Sequence, residues 1–136
     1  MVSHSVARAT RSFNLIPRLK YMTYYDLYGF EIEDIDDARP ILADILQVRF
    51  HTHDSLYLGV YYMTKGIRGD KISIKRNFDP YFDPDSDPQE GKYLESDFQN
   101  VDVLIYVDGA SAEVAKEYEE RLSEIDKIKL LRRNIN

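Results

Sequence analysis

"VDVLIYVDGASAEVAKEYEERL", residues 101–122, decides the fold. Its first half is a near-continuous apolar run, which suits a strand buried at the centre of a sheet. Side chains alternate across a strand, so Val103, Ile105 and Val107 share one face, predicted to lie against helices. Ser111 stands where a helix cap belongs, with Glu113 in the first turn, where an acid complements the helix dipole. Val114, Tyr118, Leu122 and Ile125 then recur at helical spacing. A buried strand handing over to an amphipathic helix implies a layered sheet-and-helix domain.

The flanking segments extend that pattern. "KIKLLRR" closes the chain as a short strand or extended tail. "YMTYYDLYGFEI" (residues 21–32) is aromatic-rich and reads as a first strand. Asp34, Asp36 and Asp37 then occupy cap and first-turn positions, and Ala38, Leu42, Ile45 and Leu46 follow at helical spacing. Pro40 lacks an amide hydrogen and belongs in a first turn, so the helix is expected from about Asp36 or Asp37 to Gln47. Three strand candidates come next: "VRFHTH", "LYLGVYYM" and "KISIKRNF", the last two joined by a hairpin at "IRGD". "DPYFDPDSDPQEGKYLESDFQN" carries three Asp-Pro pairs and reads as one long loop. The order is strand, helix, three strands, strand, helix, strand. That order predicts an α+β fold, a mostly antiparallel sheet with two helices packed on one face.

The 136 residues suffice for one core. Hydrophobic residues make up 43% and charged residues 31%, as in ordinary soluble proteins. No apolar run is long enough for a membrane span, so no membrane partner is expected. There is no cysteine, which excludes disulfides, thiolate nucleophiles and Cys-type zinc sites. Residues 1–21 are expected to be a loosely packed basic extension, and 22–136 a single domain. The extension carries Arg8, Arg11, Arg18 and Lys20 and no acid, superficially like an organelle transit peptide. The remainder holds 14 basic against 24 acidic residues. Such a domain repels phosphates, so no nucleic acid partner is expected, whereas a basic protein partner suits it.

Residues 50–66, "FHTHDSLYLGVYYMTKG", look most like an active site. His51 and His53 share a strand face and could hold one ion, but a stable site needs more ligands. Asp54 follows His53 directly, which breaks the H-x-H-x-D-H pattern of metallo-hydrolases. Ser55 stands beside these residues, but triads converge in space and are not built from sequence neighbours. No G-x-S-x-G elbow occurs, and Gly59 reads as a mid-strand glycine that lets a backbone or ring approach. "DPDSDPQEGKYLE" places Asp83, Asp85 and Asp87 at calcium-loop positions. Pro88 replaces the turn glycine and Leu94 the bidentate glutamate, which removes that geometry. There is no phosphate-cradling loop or dinucleotide fingerprint. No cofactor, metal or catalytic residue is therefore assigned.

One resemblance covers about residues 25–122. Ser55, Tyr57, Gly59, Tyr61 and Tyr62, then Asn77-Phe78-Asp79 after the next strand, then an acidic turn before an apolar strand, resemble the immunity proteins of polymorphic and contact-dependent growth inhibition toxin systems. The resemblance implies a bacterial, cytoplasmic, non-enzymatic inhibitor. It would bind the C-terminal domain of a cognate toxin and block it, a nuclease with a basic cleft being one such target. The expected partner surface is the acidic loop: Asp79, Tyr81, Phe82, Asp83, Asp85, Asp87, Glu90 and Tyr93. Interfaces place aromatic anchors centrally and charge at the rim. The competing readings are a small enzyme or metal- or ligand-binding protein using His51, His53 and neighbouring tyrosines, and a structural or regulatory subunit.

Overall fold

Apolar spacing at 3.6 and 2.0 residues sorts the chain into helices and strands around one core. The computed structural model describes residues 22–66 and 68–136; the basic segment 1–21 lies outside them. The elements are β1 (Tyr24–Phe30), α1 (Ile35–Leu46), β2 (His51–Ser55), β3 (Gly59–Lys65), β4 (Lys71–Arg76), β5 (Val103–Ala110), α2 (Ala112–Leu122) and β6 (Ile128–Ile135). The six strands of the described residues pair antiparallel in one sheet of order β2-β3-β4-β5-β1-β6. The fold is α+β.

β5 lies inside the sheet, between β4 and β1. Val103, Ile105 and Val107 are buried in one cluster with Ile35, Ala38, Leu42 and Leu46 of α1 and Val114, Ala115, Tyr118 and Leu122 of α2. Each fully buried Leu or Ile in this layer contributes about 1.5–3 kcal/mol. Among the described residues the opposite face of the sheet carries no α-helix. Among the described residues no helix is long and apolar enough to cross a membrane.

Local chemistry sets the helix ends. Ser111 Oγ accepts the Val114 N–H at 3.2 Å and starts α2. α1 begins at Ile35, one residue before the expected start, with Asp34 as its N-cap residue. The Asp34 side chain does not cap. It pairs with Arg76 of β4 at 3.0 Å and ties the helix start to the sheet. Pro40 lies in the second turn of α1 and not the first; packing of the apolar stripe overrides the hydrogen bond it cannot donate to Asp36. The helix stops where Gln47 turns left-handed, at φ 56°.

Two further expectations are corrected. The chain from Leu56 to Leu58 is a turn, so β3 begins at Gly59 and not within "LYL". Ser55 Oγ accepts the N–H groups of Tyr57 and Leu58, and Gly59 at φ 68° completes the reversal. Gly59 therefore opens the strand, although Pro80 and the Tyr81 ring do lie against it. The closing segment is a full eight-residue strand paired along β1, because its backbone completes that edge. The β3–β4 hairpin forms as expected, with the Gly66 N–H donating to the Asp70 carbonyl at 2.8 Å.

Candidate partner-binding surface

Residues 77–102 connect β4 to β5 and carry eight acids and one lysine, Lys92. Their base is organised by Asn77, which is fully buried. Its Nδ2 donates to the carbonyls of Phe98 and Val101, each at 2.8 Å, and its Oδ1 accepts the Glu95 N–H at 2.8 Å. The Asn77 backbone also pairs with Leu94 and Asp102. An asparagine suits this position because it presents donor and acceptor together.

Glu95 fastens the loop to the helix-free face. Its carboxylate accepts from the two terminal guanidinium nitrogens of Arg132 at 3.0 and 3.1 Å and from the Tyr106 hydroxyl at 2.6 Å. Burial raises its pKa, but donation from Arg132 and Tyr106 outweighs this and holds the carboxyl below its usual range. Burial and the bond to Glu95 push the Tyr106 hydroxyl up.

The outer part of the loop is a chain of small turns. Asp79 Oδ1 accepts the Tyr81 N–H at 2.8 Å. Asp83 accepts from the Ser86 hydroxyl at 2.8 Å and the Asp85 N–H at 3.0 Å, while Asp87 accepts the Asp83 N–H at 2.9 Å. The Ser86 hydroxyl and the Asp85 amide hold the Asp83 carboxyl below its usual range. These carboxylates serve their own backbone and do not converge on a common centre. Phe78 and Tyr93 pair as an isolated bridge, their rings edge to face at 5.9 Å.

Of the expected partner residues, Asp83, Asp85, Asp87 and Glu90 are exposed and Tyr81 is 59% exposed. Asp79, Phe82 and Tyr93 are half-buried. The loop starts beside the β2–β3 turn, and a groove of about 210 Å³ runs between Tyr57, Phe78, Pro80, Tyr93 and Leu94. Leu56 and Tyr57, at the tip of that turn, are 90% and 84% exposed. Sequence reasoning missed them because an apolar run imitates a strand; the flanking Ser55 and Gly59 were the available turn signal.

His51 and His53 point to the helix-free face on β2, opposite Met63 and Tyr61. His53 stacks on Tyr61 at 5.4 Å. Lys75 lies beyond, 5.5 Å from the Tyr61 ring centre and 4.8 Å from that of Tyr106, and its burial lowers its pKa. Among the described residues no three His, Asp or Glu side chains are placed to share a metal ion. A larger groove of about 520 Å³ lies between the end of this loop and the strands β1 and β6, near Gly29, Val101 and Leu131, with Glu31, Glu33, Asp102, Lys127 and Lys129 around it. Its mixed charges favour neither sign of ligand.

No protein-family model matches the chain, and no curated protein matches it.

Proposed function

We propose that this chain is an immunity protein that binds a cognate bacterial toxin domain in the cytoplasm and neutralises it by direct contact, without catalysis. The observation that carries the reading is the acidic loop itself. Asn77 and Glu95 hold its base, and its exposed face combines Tyr81 with Asp83, Asp85, Asp87 and Glu90. Local hydrogen bonds already order this segment, so less conformational entropy is lost on association. Its charge suits a basic partner, and a nuclease cleft shaped for phosphates is one such surface.

The test is co-expression with the C-terminal domain of the polypeptide encoded immediately upstream. Growth rescue together with co-purification of the two chains is the expected result. Growth arrest with no recovered complex, at equal expression, overturns the reading.

A further inference from the structure

The tip of the β2–β3 turn is apolar where turn chemistry does not ask for it. The reversal is already provided by Ser55, whose hydroxyl accepts two backbone N–H groups, and by Gly59 in the left-handed region. Positions 56 and 57 are thereby free to be polar, as tips of turns usually are. They are instead Leu and Tyr, the two most exposed large apolar side chains among the described residues. Pro80 and Tyr81 pack against Gly59 from the acidic loop, so the tip and the loop form one continuous surface.

The surroundings select the occupant. Asp54 precedes the turn, and Asp79, Asp83, Asp85, Asp87 and Glu90 lie on the adjoining loop. Among the described residues the nearby cations are already engaged: Arg76 bonds Asp34 and the Val60 carbonyl, and Lys92 lies over the rings of Phe78 and Tyr93. An anionic lipid surface, a nucleic acid or the same acidic loop of a second copy would meet repulsion here. A basic protein surface with an apolar recess fits.

We propose that Leu56 and Tyr57 are the anchor of the interface, entering an apolar recess on the basic partner while the acids of loop 79–97 line the rim. This rests on the immunity reading and names the residues that carry its affinity. Central anchors of this kind control dissociation, and rim charges control association.

The probe is the C-terminal domain of the upstream-encoded polypeptide, with binding followed by surface plasmon resonance. Leu56→Asn with Tyr57→Asn keeps residues suited to a turn and is expected to retain the wild-type Tm. Dissociation should be about thirtyfold faster or more. Ile41→Ser, which alters an exposed apolar residue on α1, should bind as wild type. A photo-crosslinking phenylalanine analogue at position 57 should join the two chains covalently, a readout that does not depend on the stability of the Asn pair. Wild-type kinetics in the Asn pair, or no crosslink from position 57 in a formed complex, overturns the anchor and leaves the immunity reading standing. Failure of the wild-type chain to bind the probe overturns both.

Discussion

Asn77 Oδ1 accepts the backbone N–H of Glu95 at 2.8 Å, joining positions 18 residues apart. Together with the bonds from Nδ2 to Phe98 and Val101, this closes the base of the acidic loop from within. Asn77→Ala removes all three bonds and leaves buried backbone groups unpaired. A loss of about 3 kcal/mol is expected in urea unfolding, with proteolytic cleavage in residues 79–97 preceding global unfolding. Asn77→Asp keeps an acceptor for Glu95 but sets a carboxylate against two carbonyls, so it should do no better. Stability within 0.5 kcal/mol of wild type, a rough limit for an ordinary surface change, would remove Asn77 from this role.

Acid should release the loop before the core. The folded-state pKa of Glu95 is depressed by Arg132 and Tyr106. Its contribution is therefore complete above the unfolded value, about 4.3, and is lost as pH falls through the folded value. The protection factors of amides 94–98, which correct for the intrinsic slowing of exchange in acid, should fall below about pH 4 while β5 stays protected. Glu95→Gln should abolish that pH step. Protection of the loop down to the pH at which β5 itself opens would contradict this.

Two glycines offer a sharp contrast. A Cβ on Gly66 would collide with the Asp70 carboxylate, whose Oδ2 accepts the buried Tyr118 hydroxyl at 2.6 Å. Gly66→Ala should cost about 1–3 kcal/mol, with Tyr118→Phe partly masking the effect because the two changes act on one contact. A Cβ on Gly91 meets nothing within 4 Å, so Gly91→Ala should be close to neutral. Chemical denaturation of the single and double variants decides the matter.

The histidine pair should be dispensable. Among the described residues the contact of the His53 ring is its stack on Tyr61, so replacing His51 and His53 by Ala should cost less than about 1.5 kcal/mol and leave binding of the proposed partner unchanged. Equimolar zinc should not raise the wild-type Tm. A zinc-dependent rise that the double variant loses would favour the metal-binding reading instead.

Loop charge and loop aromatics should separate kinetically. Asp83→Asn, Asp85→Asn and Asp87→Asn together keep acceptors for the local turns but remove charge, so association should slow and its salt dependence flatten. Tyr81→Ala should mainly accelerate dissociation, by about 2 kcal/mol if the ring is a hot spot. Association rates at two ionic strengths measure the first effect, and dissociation into buffer the second. Unchanged kinetics in both variants would move the interface off this loop.

The sequence by itself determined the layer architecture. Alternation along 103–107 and helical spacing after Asp34 and Ser111 report burial directly, because the period of the apolar residues is the period of the backbone. The Asp-Pro density marked the long loop for the same kind of local reason. Such periods cannot identify partners distant in the chain. Asn77 reads locally as one more polar residue after a strand; only the return of residues 95–101 makes it the hub of the loop. Arg132 and Arg133 look interchangeable, yet Arg132 holds Glu95 on the helix-free face while Arg133 holds the buried Asp26 and Glu119. Leu56 and Tyr57 open an apolar run in sequence but stand outside the sheet, because the backbone reverses between Ser55 and Gly59 and pairing resumes only at Gly59. Periodicity reports which faces are buried, and long-range pairing decides which polar and apolar groups meet.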